Sequence, residues 1–564
     1  MTRILMRDYD MASARRLTDA GYSPPIARAL AARGIHDATE LDQEWKAMLP
    51  PSLLEGTRAA AERLALARER HEHVTIVADY DCDGATACAV AMRGLAMMGI
   101  RSSFFVPHRV LHGYGLSTTV VDLLAQQPQK PDLLVTVDNG VSSAEAVRHA
   151  NALGIDVIVT DHHLPGAELP PAVCIVNPNL VDSTFPSKTL AGVGVMYYVL
   201  LALRALLRER GVYTQQTQPR LDTLVDLVAL GTVADVVKLD KNNRILVSQG
   251  LRRIRMGRTH VGISALFAVA GKKQEVASVR DFGFALGPRI NAAGRLDTME
   301  NGIHCLLTDD PAEALDLARS LNDFNVARQE LETEMQQAAE IALSHYDVEK
   351  RATLSLYDEC FNEGVVGLVA SRLKEKTNRP TIVFATSDDG QLKGSGRSIP
   401  GIHLRDALDL VNKRLPNAII RFGGHAMAAG LTLRTECLSD FQKVFEDTVR
   451  SMTDPSVFER VLYTDGGLAP DEISENLVYA IENQIWGQGF DAPIFANEFK
   501  IIRQTIIKDA HLKLILELGG QRFEAIFFRF TDTLPDNVRL AYRPNINEFM
   551  GRRTVQLVIE AVEL

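Results

Sequence analysis

The chain is predicted to be an α/β protein with a parallel sheet, a second α/β region and a small C-terminal β domain. Three observations support this prediction. Between positions 74 and 178, short apolar runs alternate with helical stretches, as in βαβ units. From Pro311 to about residue 346 no glycine occurs, which favours one long helix. Near the C-terminus, two alternating runs flank Gly519-Gly520, which indicates a β-hairpin.

The first α/β region supplies the parallel sheet. The chain before it is expected to be helical from residue 1 to about 70, because IARALAARGIH and RAAAERLALARER have helical apolar spacing. Helices are predicted near 84–98, 117–126 and 143–153, and residues 190–270 are predicted to be mainly helical. The predicted strands are VTIVAD (74–79), SFFV (103–106), LLVTVD (133–138), DVIVTD (156–161) and VCIVNP (173–178).

A long helix is predicted to follow, with Asp309 or Asp310 as its cap and Pro311 at its first position. About 35 residues at 1.5 Å each would extend roughly 50 Å, which favours a spacer between two lobes. A second α/β region is predicted from 352 to about 450, with strands ATLSLYD and TIVFAT around a helix near 364–377.

The last hundred residues are predicted to form a small antiparallel β domain, for which an OB-type barrel is one candidate. HLKLILELGGQRFEAIFFRF supplies the hairpin, and VRLAYRP and TVQLVIEAVEL supply two further strands. Its aromatic side chains either stack on nucleic-acid bases or form the core of the barrel; these are Phe523, Phe527, Phe528 and Tyr542.

Composition sets limits on the class of protein. A chain of 564 residues is expected to contain two to four domains. No run approaches the ~20 apolar residues of a membrane span, and the charged N-terminus differs from a signal peptide, so a cytoplasmic location is expected. The six cysteines are scattered, which indicates reduced core residues. A net charge of -10 does not exclude a nucleic-acid substrate, because carboxylates that hold cations account for part of it.

Acidic residues follow three of the predicted strands. Asp79, Asp138 and Asp161 each end a strand, and the carboxyl ends of parallel strands share one edge of a sheet. Each aspartate alone could be a helix cap or turn residue, and adjacent histidines are often surface residues. Four motifs in order on one edge make these separate explanations improbable: DYDCDG (79–84), VDNG (137–140), DHH (161–163) and GTVADV (231–236).

Clustered carboxylates predict a cation site, because their mutual repulsion must be neutralised. Oxygen ligands mixed with imidazole suit Mn²⁺ or Mg²⁺ better than zinc, and the sequence does not choose between them. Two such ions about 3.5–4 Å apart would stabilise both the attacking and the leaving oxygen of a phosphoryl displacement. The sequence therefore predicts a metal-dependent phosphodiesterase.

The ordered motifs resemble the DHH phosphoesterase superfamily, which is named for the third motif. GSGRS (394–398) and FGGHAMAAG (422–430) resemble the DHH-associated substrate-binding domain. Together with GPRINAAGRLD (287–297) and the β domain, the chain from about residue 50 onward is similar to the bacterial single-strand-specific exonucleases of this superfamily. The apolar spacing predicts an N-terminal helical segment (1–50). After it, the resemblance implies a DHH catalytic domain (51–305), a connecting long helix (306–348), a DHH-associated domain (349–450) and an OB-like nucleic-acid-binding domain (455–564).

The resemblance also implies an activity: 5′-to-3′ hydrolysis of single-stranded DNA to 5′ mononucleotides with two Mn²⁺ or Mg²⁺ ions, in DNA repair and recombination. Asp138 would be the carboxylate shared by both ions, and His163 would contact the scissile phosphate or assist protonation. Val77 stands where many DHH phosphatases carry a histidine, and Asp79 would substitute for that histidine as a ligand. The implied metal ligands are Asp79, Asp81, Asp83, Asp138, Asp161, His162 and Asp235.

A second group of residues is expected to bind the substrate. Arg397 offers a two-pronged donor for phosphate, beside Ser395 and flanking glycines, although GSGRS could be a plain turn. Arginines in the first region are candidates for the 5′ phosphate, against the alternatives of structural salt bridges or a solvated surface role. His425 resembles the substrate histidine of the associated domain. The expected substrate-binding residues are Arg109, Arg289, Arg295, Ser395, Arg397 and His425.

Other functions share these motifs. An oligonucleotide-trimming or cyclic-dinucleotide phosphodiesterase of the superfamily is the main alternative, and length and the β domain favour a polymer substrate. A pyrophosphatase is disfavoured by size, and a non-catalytic scaffold by the intact acidic motifs. By resemblance, a helicase and single-strand-binding protein are expected partners; no membrane association and a monomer are expected.

Overall fold

The computed structural model describes residues 2–108, 112, 115–344, 347–387, 390–549 and 552–564. Its chain divides into two compact units. The parallel-sheet unit consists of Ile35–Val326 and Asn483–Ala492, and the composite unit consists of Met1–Gly34, Ala327–Glu482 and Pro493–Leu564. Within the described residues, no helix has the length and apolar character required to cross a bilayer.

The parallel-sheet unit contains the predicted doubly wound sheet, with all neighbouring strands parallel in the order β3-β2-β4-β5-β6. Strands β2 and β4 are buried along their whole length, which explains their continuous apolar sequences. The fold class predicted from the sequence is therefore confirmed. The strands are β2 (Val74–Ala78), β3 (Ser102–Phe105), β4 (Leu133–Val137), β5 (Asp156–Thr160) and β6 (Cys174–Val176).

Helices of this unit lie between the strands and continue after them, as the sequence predicts for 190–270. They are α3 (Thr57–Arg70), α4 (Cys82–Met97), α5 (Thr118–Ala125), α6 (Ala144–Ala152), α7 (Gly192–Glu209), α8 (Val225–Ala234), α9 (Lys241–Arg255), α10 (Val261–Val269), α11 (Val279–Asp281), α12 (Gly287–Leu296) and α13 (Glu300–Leu307). A π-helical turn, Phe282–Leu286, joins α11 to α12.

The predicted long helix is confirmed as α14 (Pro311–Ser344), which has 34 residues. Asp310 caps it, because its carboxylate accepts a hydrogen bond from the Ala312 backbone N–H at 2.8 Å. Pro311 occupies the first helical position, where the missing N–H leaves no donor unsatisfied. The boundary between the two units, Val326–Ala327, falls inside this helix.

The second α/β region forms a five-stranded sheet in the order β10-β11-β9-β8-β7. Only the β7–β8 pair is parallel, and the remaining pairs are antiparallel. The elements are β7 (Leu354–Tyr357), α15 (Val366–Thr377), β8 (Thr381–Thr386), β9 (Leu392–Arg397), α16 (Leu404–Arg414), β10 (Ile419–Gly424), β11 (Ala428–Leu433) and α17 (Leu438–Met452).

The C-terminal β domain is a closed five-stranded barrel in the order β13-β14-β15-β17-β16. Gly519 and Gly520 both have positive φ, which a two-residue turn between β14 and β15 requires. Tyr542 and Phe523 are buried in the barrel, whereas Phe528 is 51% exposed. The elements are α18 (Glu475–Glu482), β13 (Phe495–Ile507), β14 (His511–Leu518), β15 (Gln521–Phe528), β16 (Asn537–Phe549) and β17 (Arg552–Glu563).

The N-terminal segment corrects one prediction. Residues 1–50 were expected to be helical, and α1 (Met11–Asp19) and α2 (Pro24–Ala31) agree, but Thr2–Met6 form a strand, β1. This strand pairs in parallel with β12 (Arg460–Thr464), far away in the sequence. An apolar run this short carries no helical or strand period, so its partner determines its conformation.

Candidate metal centre

The ends of three aligned strands bring the acidic motifs together. In the sheet register Ala78 pairs with Val137, and Val137 pairs with Thr160. The next residues along these strands are Asp79, Asp138 and Asp161, and all three side chains are buried. The predicted gathering of aspartates at one edge of the sheet is therefore present in the structure.

The DYDCDG loop turns sharply from β2 into α4. Asp81 caps the helix, because its carboxylate accepts a hydrogen bond from the Gly84 backbone N–H at 3.0 Å. A Cβ on Gly84 would lie 2.5 Å from the backbone oxygen of Asp79, so only glycine lets the chain fold back here. The tight turn thereby places Asp79, Asp81 and Asp83 on one short segment.

Asp83 is held by the N-terminus of α7. Its two carboxylate oxygens accept hydrogen bonds from the backbone N–H groups of Gly192 at 2.6 Å and Val193 at 2.9 Å. A Cβ on Gly192 would lie 2.5 Å from Asp138 Oδ1, so this glycine also lets α7 approach Asp138. Burial, followed by the charge of Asp81, raises the pKa of Asp83 to about 7 despite these donors.

Asp138 adopts a left-handed backbone conformation with φ of 63°. Such a conformation is uncommon for a residue with a side chain and recurs at functional sites. The adjacent Asn139 fixes it, because its buried side-chain amide donates hydrogen bonds to the backbone oxygens of Val77 at 3.0 Å and Val137 at 2.9 Å. In the VDNG motif, Asn139 therefore links β2 to β4 by hydrogen bonds and fixes the backbone at the sheet edge where Asp138 lies.

Asp161 positions the histidines of the DHH motif. Its carboxylate accepts hydrogen bonds from the backbone N–H groups of Val141, His162 and His163, and its Oδ1 lies 2.7 Å from His163 Nδ1. Burial alone would lower the pKa of His163, but the hydrogen bond and charge of Asp161 raise it to about 9. This geometry is that of an anchoring carboxylate rather than of a metal ligand.

His162 points its Nε2 into the acidic cluster. This atom lies 3.1 Å from Asp138 Oδ1, 3.5 Å from Asp235 Oδ2 and 4.0 Å from Asp83 Oδ2. Burial, followed by the charge of His163, lowers the pKa of His162 to about 4, so the ring is neutral at pH 7. A neutral imidazole nitrogen is the form that binds a metal ion.

The donor atoms fit divalent cations. Among the described residues, neither His162 Nε2 nor Asp235 Oδ2 has a hydrogen-bond partner, although both atoms are buried. Burial, followed by neighbouring carboxylates, raises the pKa of Asp79, Asp138 and Asp235 well above the ordinary value. A cation would satisfy these atoms and relieve the repulsion between the charges.

Among the described residues, the possible ligand atoms form overlapping sets of three. Within each set, all three atoms lie within 4.8 Å of one another. Asp138 and His162 each belong to two of the sets, which favours a shared ligand between two ions. Asp161 belongs to none of them, and His163 belongs to one, together with Asp138 and His162. The sets are Asp138, His162 and His163; Asp83, His162 and Asp235; and Asp79, Asp81 and Asp138.

Helix α12 packs against the DYDCDG loop. Asn291 Oδ1 accepts a hydrogen bond from the Cys82 backbone N–H at 2.7 Å. A Cβ on Gly294 would lie 2.0 Å from the Tyr80 backbone oxygen, so the helix touches the loop backbone directly. Sequence reasoning missed both residues, although the INAAG run, with small residues around a polar side chain, signals close packing.

The predicted substrate arginines of this unit have different surroundings. Arg289 donates hydrogen bonds to Asn322 Oδ1 at 3.1 Å and to the Ala285 backbone oxygen at 2.7 Å, rather than pairing with an aspartate. Arg295 is half-buried near the end of α12. Arg109 lies outside the described residues.

The GSGRS and FGGHAMAAG motifs lie on adjacent strands of the composite unit. Arg397 Nη1 donates hydrogen bonds to Ser395 Oγ at 3.1 Å and to the Gly396 backbone oxygen at 2.9 Å. A Cβ on Gly367, at the start of α15, would lie 2.9 Å from both side chains, so this glycine makes room for them. His425 is exposed at the turn between β10 and β11.

Comparison with known proteins gives a consistent set of matches. The DHH family N-terminal domain matches residues 73–232, the DHHA1 domain residues 351–451 and the RecJ OB domain residues 464–561. The chain is 45% identical over 554 residues to the single-stranded-DNA-specific exonuclease RecJ of Salmonella typhimurium, and the match covers 96% of each chain.

Two solved structures of RecJ from Thermus thermophilus match the whole of this chain. The structure in complex with Mn²⁺ has a TM-score of 0.85 and 30% identity, and 79% of that chain is covered. The structure in complex with Mg²⁺ has a TM-score of 0.79 and 28% identity, with 78% of that chain covered.

Proposed function

The chain belongs to the RecJ family, and on that premise we propose that it is a metal-dependent exonuclease that hydrolyses single-stranded DNA. The carrying observation is the buried set of carboxylates around His162 Nε2, whose donor atoms suit two divalent cations. Relatives named single-stranded-DNA-specific exonuclease RecJ, and solved RecJ structures in complex with Mn²⁺ and Mg²⁺, support the substrate and the ions.

We propose Asp138 as the ligand shared by both ions. The two sites are completed by His162, Asp79, Asp81, Asp83 and Asp235. When bound, two divalent cations lower the pKa of a water molecule and neutralise charge on the phosphate. His162 stays neutral, and its backbone is held by hydrogen bonds to Asp161 and Asn179. Asp161 acts as an anchor that holds the ring of His163 in a fixed direction.

Protonated His163 is proposed to donate a hydrogen bond to a non-bridging oxygen of the scissile phosphate. Its pKa of about 9 keeps the ring charged at pH 7 in the metal-free protein, and its Nδ1 is occupied by Asp161, so Nε2 is the atom offered to substrate. Arg397, with Ser395 beside it, is proposed to bind a phosphate of the strand as a two-pronged donor.

We propose that digestion proceeds from the 5′ end and releases 5′ mononucleotides, in DNA repair and recombination. The test uses single strands labelled at the 5′ or the 3′ end, incubated with Mn²⁺. Early release of the 5′ label is expected, and early release of the 3′ label would reverse the proposed polarity. Faster turnover of dinucleotides or cyclic dinucleotides than of long strands would instead favour a small-substrate phosphodiesterase.

The control for this test is a pair of matched substitutions. Asp138→Asn should abolish release of either label, because it removes a charge that both ions share. Asp122→Asn alters a carboxylate on α5 that pairs with His149 at 2.6 Å and belongs to none of the ligand sets, so it should retain activity.

Family membership also suggests the cellular setting. We propose that the protein acts in the cytoplasm on strands exposed by a helicase, together with a single-strand-binding protein, and that it works as a monomer. Sedimentation with and without these partners would test the proposal, and self-association at working concentrations would contradict the monomer.

A further inference from the structure

An exposed aromatic ring is carried by the π-helical turn between α11 and α12. Phe284 is 80% exposed, whereas Phe282 on the same turn is fully buried. Among the described residues of the parallel-sheet unit, Phe284 is the only Phe, Tyr or Trp classed as exposed. A solvent-facing ring contributes little to the core, so the stability of the unit does not account for its presence.

The backbone that carries Phe284 is unusual. Phe282–Leu286 form a π-helical turn, closed by a hydrogen bond from the Gly287 backbone N–H to the Phe282 backbone oxygen. One extra residue in the turn changes which side chains face outward, and π-helical turns occur frequently at functional sites. The turn therefore places Phe284 outward while Phe282 and Leu286 remain in the core.

This turn packs against the end of α8, directly before a proposed metal ligand. A Cβ on Gly283 would lie 3.8 Å from Val233 Cγ1. A Cβ on Gly287 would lie 3.1 Å from Ala234 Cβ. Asp235 is the next residue, and its Oδ2 lies 3.5 Å from His162 Nε2. Phe284 is thus carried by a segment in contact with the wall of the metal centre.

A second irregularity occurs at the same place. Val236, immediately after Asp235, has φ of 63° and is 60% exposed. A β-branched residue with positive φ is a strained conformation that surrounding structure must maintain. An exposed valine and an exposed phenylalanine therefore both adjoin the last turn of α8. A single exposed apolar side chain is ordinary on a protein surface, but two at one place indicate a binding surface.

We propose that Phe284 is a base-stacking platform for the single-stranded DNA substrate, close to the phosphate that is cleaved. Every base offers a π face, so an exposed ring holds a strand without regard to sequence. Arg280 lies one helical turn earlier and is also exposed, which adds a cation for the backbone of the strand. This inference rests on the proposed exonuclease function and adds a residue that contacts the bases.

The proposal is tested with Phe284→Ala, Phe284→Trp and, as a matched exposed apolar control, Val181→Ala, which is 92% exposed in wild type. Phe284→Ala should raise KM for a short oligothymidylate about five-fold or more, because one stacked base is lost. Phe284→Trp should retain wild-type KM, and Val181→Ala should not change it. Melting temperatures of all three should match wild type, since neither side chain is buried.

Two further measurements separate stacking from a general effect on the fold. An oligonucleotide with abasic sites near its 5′ end should bind wild type and Phe284→Ala equally, because no base remains to stack. Binding of oligothymidylate should quench the fluorescence of Phe284→Trp more than that of wild type, whose two tryptophans are Trp45 and Trp486. Wild-type KM for Phe284→Ala, or no additional quenching in Phe284→Trp, would overturn the stacking role.

The outcomes also separate this proposal from the function on which it rests. If wild type fails to digest single-stranded DNA, the exonuclease assignment is wrong. If wild type digests it and Phe284→Ala has the same KM as wild type on intact strands, only the stacking assignment is wrong.

Discussion

A single methyl group at position 294 should disable the enzyme without contacting a metal ligand. Gly294 lies where α12 meets the DYDCDG loop, and a Cβ there would be 2.0 Å from the Tyr80 backbone oxygen. Real Cβ atoms essentially never come within 3.0 Å of a non-bonded heavy atom. Helix α12 and the DYDCDG loop must therefore separate by about 1 Å. The neighbour is backbone, so no side-chain rotation relieves the contact.

The magnitude follows from how tightly the loop is coupled to the metal centre. Tyr80 lies between Asp79 and Asp81, so the displacement moves both carboxylates. Functional groups must stay within about 0.5 Å of their working geometry, and a shift of about 1 Å can reduce the rate about 100-fold. We therefore expect kcat to fall about 100-fold in Gly294→Ala and the affinity for Mn²⁺ to fall with it.

The assay is digestion of labelled single-stranded DNA with a Mn²⁺ titration, together with circular dichroism to verify folding. Gly166→Ala is the matched control, because its Cβ would meet only Ser142 Oγ, at an ordinary 3.7 Å. A folded Gly294→Ala with wild-type kcat and Mn²⁺ affinity would refute the reasoning that α12 positions the loop.

Three further predictions concern charge. The pKa of Asp83 is raised from 3.8 to about 7 in the metal-free protein, so its contribution to folding stability is greatest below about pH 4 and is lost as pH rises towards 7. In EDTA the melting temperature should therefore fall between pH 5 and 7, Mn²⁺ should restore it, and Asp83→Asn should flatten the dependence; a rise with pH would contradict this. Asp465→Ala should lower the free energy of unfolding of the composite unit by about 3–5 kcal/mol in urea titrations. The reason is that Arg33, whose Nη1 lies 2.7 Å from Asp465 Oδ1, would stay buried without a carboxylate partner. An unchanged urea midpoint would contradict this prediction. Arg397→Lys should raise KM several-fold with kcat little changed, because an ammonium lacks the two-pronged geometry of a guanidinium. Wild-type kinetics would instead support the interpretation of GSGRS as a turn without a role in substrate binding.

Much of the catalytic region could be predicted because a short stretch of sequence is enough to show where each strand ends. Asp79, Asp138 and Asp161 each close an apolar run, and parallel register then places them side by side. The separate roles of these aspartates could not be predicted, because hydrogen bonding determines them. Asp161 was expected among the metal ligands, yet in the structure its carboxylate is engaged by Val141 and the DHH turn.

Residues that act across long sequence distances were missed. Gly192 makes room for Asp138, but nothing in its own neighbourhood indicates that a strand end lies opposite. The strand at Thr2–Met6 depends on a partner more than 450 positions away, so no local pattern could reveal it. The exposed ring of Phe284 was also invisible, because a π-helical turn shifts the face that the sequence period predicts.

The central claim is best tested by locating and counting the ions in crystals grown with Mn²⁺, using anomalous scattering. We predict two ions about 3.5–4 Å apart at the carboxyl ends of the strands, with Asp138 bound to both and His162 Nε2 bound to one. A single ion, or ions bound away from Asp138, would contradict the two-metal account.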